Sequence, residues 1–434
     1  MNIAILGFDV EGRASFEYFR SLGYEITIHD RNSSLVVPEG IKSVLGDNYL
    51  DNLDQYELLV RTPGLHPRQI LEKNPSVKDK ITTHANEFFR VCPTKNIIGV
   101  TGTKGKGTTS TLTMSLIEAT GKKVRLGGNL GVPPLTFLSE LDESSWVVLE
   151  LSNFQLIDLK YSPHIAVCLG VVEEHLDWHG SMDEYVRAKS SLFAQQTGKD
   201  IAIYYSENEV SKRIASSGKG SLLPFFSDPG AFVHNDSIVI GDKELCKTSE
   251  LILPGKHNWQ NVCAAVTAVW QVSKDVEIIH SVLKSFPSLE HRIEFVREKD
   301  GISYYNDSYA SGLQATEAAI EAIDAKKVMI LGGYDRMLNI NDFGPYCFDH
   351  SEEFRSLLLI GASAKRLASV LDDGGVTNYV MRDELNTMDE VVKTATSLAK
   401  PGDAVVLSPG FASFDMFKNF SERGKKFKEA VEAL

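Results

Sequence analysis

Apolar runs of strand length alternate along the chain with stretches whose apolar positions recur at helical spacing. The strand candidates are NIAILGF at 2–8, EITIHD at 25–30, IIGVTG at 97–102, WVVLELS at 146–152, HIAVCLG at 164–170, KVMILGG at 327–333, SLLLIGA at 356–362 and AVVLSPG at 404–410. Near-continuous apolar strands separated by helices mark parallel sheets covered on both faces, so the fold class is α/β. The rhythm restarts near Thr94 and again near Leu289. Three domains are therefore expected, over 1–92, 93–289 and 290–434. The polar, strand-like stretch from Ile201 to Leu253 reads as a less regular edge of the middle sheet.

Composition narrows the function classes. With 434 residues, 43% of them hydrophobic and 24% charged, the chain can bury several cores and is not disordered. Lys and Arg number 45 against 58 Asp and Glu, for a formal charge of −13. No basic surplus exists to neutralise nucleic-acid phosphates or an anionic membrane, although a local basic pocket for a small anion is compatible with it. Cys92, Cys168, Cys246, Cys263 and Cys347 are odd in number and contain no C-x-x-C pair, which fits a reduced cytoplasmic setting. The start MNIAILGF has no basic flank or cleavage-site pattern, and no apolar run reaches membrane-spanning length. Neither export nor membrane insertion is expected.

The chemistry concentrates after IIGV, where TGTKGKGTTS occupies 101–110. Gly102, Gly105 and Gly107 let the backbone curl with its N–H groups inward, Lys106 adds a mobile positive charge, and a following helix adds its N-terminal dipole. Thr103, Lys104, Thr108 and Thr109 complete a cradle suited to a nucleotide triphosphate. The general P-loop spelling fails at both ends, because Val100 stands where its first glycine belongs and Gly107 where its hydroxyl residue belongs. Downstream, Glu150 closes a strand, at the edge where α/β sheets bind ligands, and is a hard oxygen donor for magnesium. Taken singly, His175 reads as a structural histidine and Lys189 as a solvated charge. In the first block, Gly7 and Gly12 follow a strand and Asp30 lies at the distance of a ribose contact, but Asp9 occupies the middle glycine of a dinucleotide fingerprint. A nicotinamide dehydrogenase is the weaker alternative.

Taken together, the T-G-T-x-G-K loop, GGNLG at 127–131, LELSNFQL at 149–156, EEHLDWHG at 173–180, YVRAKS at 185–190, GKHNWQN at 255–261, LEHRIEFV at 289–296 and NDSYAS at 306–311 resemble, in order, the Mur ligases that build the peptide stem of peptidoglycan. The segment LSPGFASFDMFKNFSERGKKF at 407–427 resembles their glutamate-adding branch. The resemblance implies an N-terminal Rossmann-like domain for a uridine nucleotide, a central P-loop ATPase-type domain and a C-terminal Rossmann-like domain for the incoming amino acid. It further implies a cytoplasmic, monomeric enzyme that uses ATP and Mg2+ to join glutamate, in its D form, to UDP-N-acetylmuramoyl-L-alanine through an acyl phosphate.

By the same resemblance, Lys106 contacts the ATP phosphates, Glu150 one magnesium ion, and His175 with a carbamylated Lys189 a second. Thr108 or Thr109 takes over the hydroxyl role that Gly107 lacks. Asn129 and His175 face the uridine substrate, as do Val10, Glu11, Asp30 and Arg31 in the first domain. Asn258, Asn261, Arg292 and Asp307 serve ATP, while Tyr309, Arg336, Ser413 and Phe420 serve the amino acid. One departure bears on specificity: the family motif D-S-K-A-T-N is here Asp307, Ser308, Tyr309, Ala310, Ser311, Gly312. Tyr309 therefore replaces a cation, which makes the amino-acid preference less determined than the ligation chemistry. G-K-G also resembles folylpolyglutamate synthase, and the two substitutions together leave a non-catalytic nucleotide-binding relative as a further alternative.

Overall fold

The computed structural model describes all residues except 131, 254, 256, 288, 289 and 336–339, and the side chains of 257 and 314. All eight strand candidates form strands. The first sheet contains β1 (Asn2–Leu6), β2 (Glu25–Asp30), β3 (Lys42–Leu45), β4 (Leu58–Arg61) and β5 (Ile81–Thr83), all parallel in the order 3-2-1-4-5. Ile3 and Ile5 point into one apolar layer and Ala4 and Leu6 into the other, as the two-residue strand period requires.

The second sheet contains β6 (Ile97–Thr101), β7 (Val124–Gly128), β8 (Trp146–Glu150), β9 (Ile165–Cys168), β10 (Ile201–Tyr205) and β11 (Ser221–Phe225). Its parallel order is 11-10-9-6-8-7, so the chain leaves β6 on one side to form β7 and β8 and returns on the other to form β9. The C-terminal end of β6 is thus a topological switch point, where the diverging connections open a crevice.

The reading of 201–253 as one less regular edge requires correction. β10 and β11 are full members of the parallel sheet, whereas β12 (Phe232–His234), β13 (Ser237–Ile240) and β14 (Lys243–Lys247) form a separate antiparallel sheet. Asn235 and Asp236 both adopt positive φ, 45° and 60°, in a two-residue hairpin between β12 and β13. The hairpin returns the chain antiparallel, and each of these three strands pairs only within its own small sheet.

The last sheet contains β15 (Glu294–Lys299), β16 (Ile302–Asn306), β17 (Lys327–Gly332), β18 (Phe354–Ile360), β19 (Tyr379–Met381) and β20 (Ala404–Leu407), in the order 15-16-20-17-18-19. It is parallel except for the β15–β16 pair. The chain forms two compact units, one of residues 1–251 with 259–285, the other of residues 252–258 with 286–434. The first two sheets share a unit, joined by Arg61: its buried guanidinium holds Asp158 through Nε and Nη2 at 2.9 and 2.6 Å and donates to the carbonyls of Leu65 and Phe154 at 2.8 and 3.0 Å.

Candidate active site

The loop after β6 enters the helix Lys106–Ala119 through Gly105, whose φ of +81° favours glycine. A Cβ on Gly105 would stand 2.1 Å from Oδ1 of Asn261, and the Thr109 hydroxyl lies 3.5 Å from the same oxygen. Asn261 thus packs against the turn of the loop from the helix His257–Val269. Lys106 Nζ donates to the carbonyls of Gly102 and Thr103 at 3.1 and 2.9 Å, which folds its ammonium back over the loop. Thr103 is anchored by its hydroxyl, 3.0 Å from that of Tyr185 and 3.1 Å from the Val172 carbonyl. The exposed Lys104 pairs with Glu174 at 3.1 Å. Gly107, Thr108 and Thr109 form the buried first turn of the helix.

Glu150 ends β8 in register with Val100 of β6, which places its carboxylate beside the loop's origin. Asn129 Nδ2 donates to Glu150 Oε1 at 2.7 Å, and the Asn129 backbone N–H donates to the Glu150 carbonyl at 2.8 Å. Oε2 of Glu150 is buried with no hydrogen-bond partner. A buried carboxylate oxygen without a donor is suited to a cation or a ligand. Lys189, wholly buried in the helix Met182–Ser190, donates to the Gly102 carbonyl at 2.9 Å. Burial, reinforced by the charge of Lys106, lowers its pKa to about 7. The exposed His175 lies against the Phe154 ring at 4.8 Å, with its pKa lowered mainly by desolvation.

Among the described residues, no group of three or more His, Cys, Asp or Glu is arranged to hold a metal ion. One unpartnered oxygen beside a phosphate-type loop nevertheless fits magnesium, which takes most of its ligands from phosphates and water rather than from a protein cage.

In the loop after β1, a Cβ on Gly12 would meet the Gly7 carbonyl at 2.1 Å, so glycine permits a tight strand-to-helix turn. Asp30 accepts from the backbone N–H groups of Phe8 and Asn32 at 2.7 and 2.8 Å, which ties that turn to the end of β2. Val10 and Arg31 are exposed. Glu11 accepts a hydrogen bond from Gln155, and burial raises its pKa to about 7.

In the C-terminal unit, Asp307 follows β16 and is buried, accepting from Ile293 N at 3.2 Å and from the Ser408 hydroxyl at 2.7 Å. Burial raises its pKa to about 7. The Arg292 guanidinium lies 3.9 Å over the Tyr309 ring, which meets Phe420 edge-on at 5.0 Å. Ser413 is buried, and its carbonyl accepts from Phe417 N at 2.8 Å. Asn258 lies in the segment 252–258 of this unit, and Arg336 lies outside the described residues.

Residues 100–269 match the Mur ligase middle domain and residues 291–411 the Mur ligase glutamate ligase domain. A UDP-N-acetylmuramoylalanine--D-glutamate ligase of Acetivibrio thermocellus is 37% identical, over 100% of this chain and 96% of that protein. The chain belongs to the Mur ligase family. Its fold is also that of other Mur ligases: MurC of Thermotoga maritima superposes with a TM-score of 0.60 at 15% identity, over 100% of this chain and 99% of that one. MurF of the same organism, in complex with ADP, gives 0.61 at 15% identity over 99% and 94%.

Several residues that brace the candidate groups within each unit escaped the sequence reading. Gln155 closes a capping box on Ser152 and reaches Glu11, and Tyr185 braces the loop through Thr103. Both lie within the quoted segments LELSNFQL and YVRAKS, so the ordered motifs carried a signal that residue-type reasoning did not use. Arg423, buried and donating to the Ser308 hydroxyl at 3.0 Å and the Phe411 carbonyl at 3.1 Å, had only a surface-like ERGKK context.

Proposed function

We propose that the protein joins D-glutamate to UDP-N-acetylmuramoyl-L-alanine at the expense of ATP, in the building of peptidoglycan. The observation that carries the chemistry is the glycine loop after β6 beside the unpartnered oxygen of Glu150, next to the buried amine of Lys189. The full-length likeness to a D-glutamate ligase supports the substrate pair.

In this reading the chain has three domains, over 1–92, 93–289 and 290–434, for uridine nucleotide, ATP and amino acid, and works as a cytoplasmic monomer. Among the described residues, no helix is long and apolar enough to cross a membrane. The peptide carboxylate attacks the γ-phosphate of ATP, giving an acyl phosphate and releasing ADP; the amine of glutamate then displaces inorganic phosphate and loses a proton, leaving an amide. A carboxylate by itself repels nucleophiles, and phosphorylation both removes that charge and supplies a leaving group.

Lys106 and the N-terminus of its helix stabilise charge on the transferring phosphoryl group. Glu150 would hold one magnesium ion, and His175 with a carbamylated Lys189 a second; when bound, magnesium would neutralise phosphate charge. Addition of carbon dioxide to Lys189 requires a neutral amine, which its burial favours, and turns a cation into an oxygen ligand. Asn129 orients the substrate carboxylate, Arg292 and Asp307 serve the nucleotide, and Ser413, Phe420 and Arg336 the amino acid.

The test is phosphate release from ATP with UDP-N-acetylmuramoyl-L-alanine, with D-glutamate, L-glutamate and other amino acids supplied separately and the adduct confirmed by mass. Turnover with D-glutamate alone is expected. Turnover with another amino acid would refute the D-glutamate assignment, and silence with all of them would refute the ligase.

A further inference from the structure

The segment that presents Arg292 is held on both sides. His291 and Ile293 adopt φ of 66° and 46°, a region that costs energy for residues with side chains. Their backbone N–H groups are tied to Glu294 at 2.9 Å and to Asp307 at 3.2 Å, and the His291 carbonyl accepts from Tyr309 N at 3.0 Å. Between them, the half-buried Arg292 lies over the face of Tyr309, and its guanidinium donates no hydrogen bond among the described residues. An aromatic face holds a guanidinium through its π system and leaves every in-plane N–H donor available, a geometry that matches a planar pair of oxyanion oxygens. Tyr309 is itself 42% exposed and buttressed by the edge of Phe420, so its ring is a fixed shelf at the surface of the unit.

We propose that Tyr309 is a positioning residue, whose ring holds Arg292 so that the guanidinium presents its edge to an oxyanion of the reaction, a phosphate of ATP or a carboxylate of the incoming amino acid. The proposal rests on the ligase reading above. Tyrosine at 309 does not replace the family's lysine as a contact. A lysine there would set an ammonium against Arg292, whereas the ring attracts the cation already present and concentrates the charge in one oriented group.

The experiment compares wild type with Tyr309→Phe, Tyr309→Leu, Arg292→Ala and the Tyr309→Leu/Arg292→Ala pair, titrating ATP and glutamate separately. Phe keeps the ring and is expected within about twofold of wild type. Leu removes it and is expected to raise the KM of one substrate about tenfold, the scale of a partly desolvated cation–π contact, with a smaller change in kcat. The substrate whose KM moves identifies the oxyanion. In the Arg292→Ala background the Leu change should add nothing, because the shelf then holds nothing. If Tyr309→Phe were as impaired as Tyr309→Leu, or if the two lesions multiplied, direct contact would replace positioning. A silent wild-type enzyme would overturn the ligase reading and this one with it, whereas an active enzyme with multiplicative variants would overturn this one alone.

Discussion

Replacing Gly105 by alanine tests the construction of the phosphate loop with the smallest possible change. Two costs follow from the geometry. A side chain at φ +81° costs about 1–2 kcal/mol by itself. The new methyl would also lie 2.1 Å from Asn261 Oδ1, well inside contact distance, so the buried amide must turn away from the loop and from Thr109. Displacing a buried polar group costs roughly 1–3 kcal/mol, which brings the total to about 2–5 kcal/mol. Urea unfolding would read the loss of stability, and the KM for ATP, expected to rise at least about tenfold, would read the distortion of the loop. The Gly105→Ala/Asn261→Ala pair removes the overlap but not the backbone strain, so about 1–2 kcal/mol of the Gly105 penalty should persist in the Asn261→Ala background. An alanine variant with wild-type stability and ATP affinity would refute this account of the turn.

Four other outcomes are expected. Lys189→Ala should lose turnover and regain part of it with formate, which supplies an oxygen ligand in the space vacated; no regain in an otherwise folded variant would argue against the carbamate. Glu150→Gln keeps the shape but gives up the anionic oxygen, and magnesium-dependent turnover should fall by about a hundredfold or more; full activity would remove Glu150 from the metal site. Arg61→Met should destabilise the unit by about 3–5 kcal/mol in chemical denaturation, because Asp158 and buried carbonyls lose their donor, and a change under about 1 kcal/mol would contradict that role. Asp307 has its pKa raised by burial to about 7, so the folded state binds its proton more tightly than the unfolded chain; its stabilisation is complete below about pH 4 and is lost as pH rises to about 7, at up to about 1.4 kcal/mol per pH unit. Asp307→Asn should remove that slope, and parallel pH–stability profiles for variant and wild type would contradict the burial argument.

The local part of the structure was legible from the order of residues alone. NIAILGF, WVVLELS and KVMILGG are strands because a run apolar on both faces can bury itself only inside a covered parallel sheet, and that pattern is complete within seven residues. The glycine loop at 101–110 was legible for the same reason, since strand, turn and helix are consecutive. Strands 42–45, 58–61 and 124–128 were missed: KSVL, LLVR and VRLGG carry no apolar run longer than three residues, and their place in a sheet comes from the strands they pair with.

Which residues meet depended on the packing of distant segments. Asn261 reaches Gly105 across 156 positions of chain, Arg61 is buried against Asp158 rather than solvated, and Glu11 is held by Gln155. Arg292 rests on Tyr309 because Asp307 ties down the turn between them. Such contacts depend on where each sheet sets down the ends of its strands, and no local periodicity encodes that. The chemistry was therefore readable as a list of groups, while their partners, burial and shifted pKa values arose from the packing that brought them together.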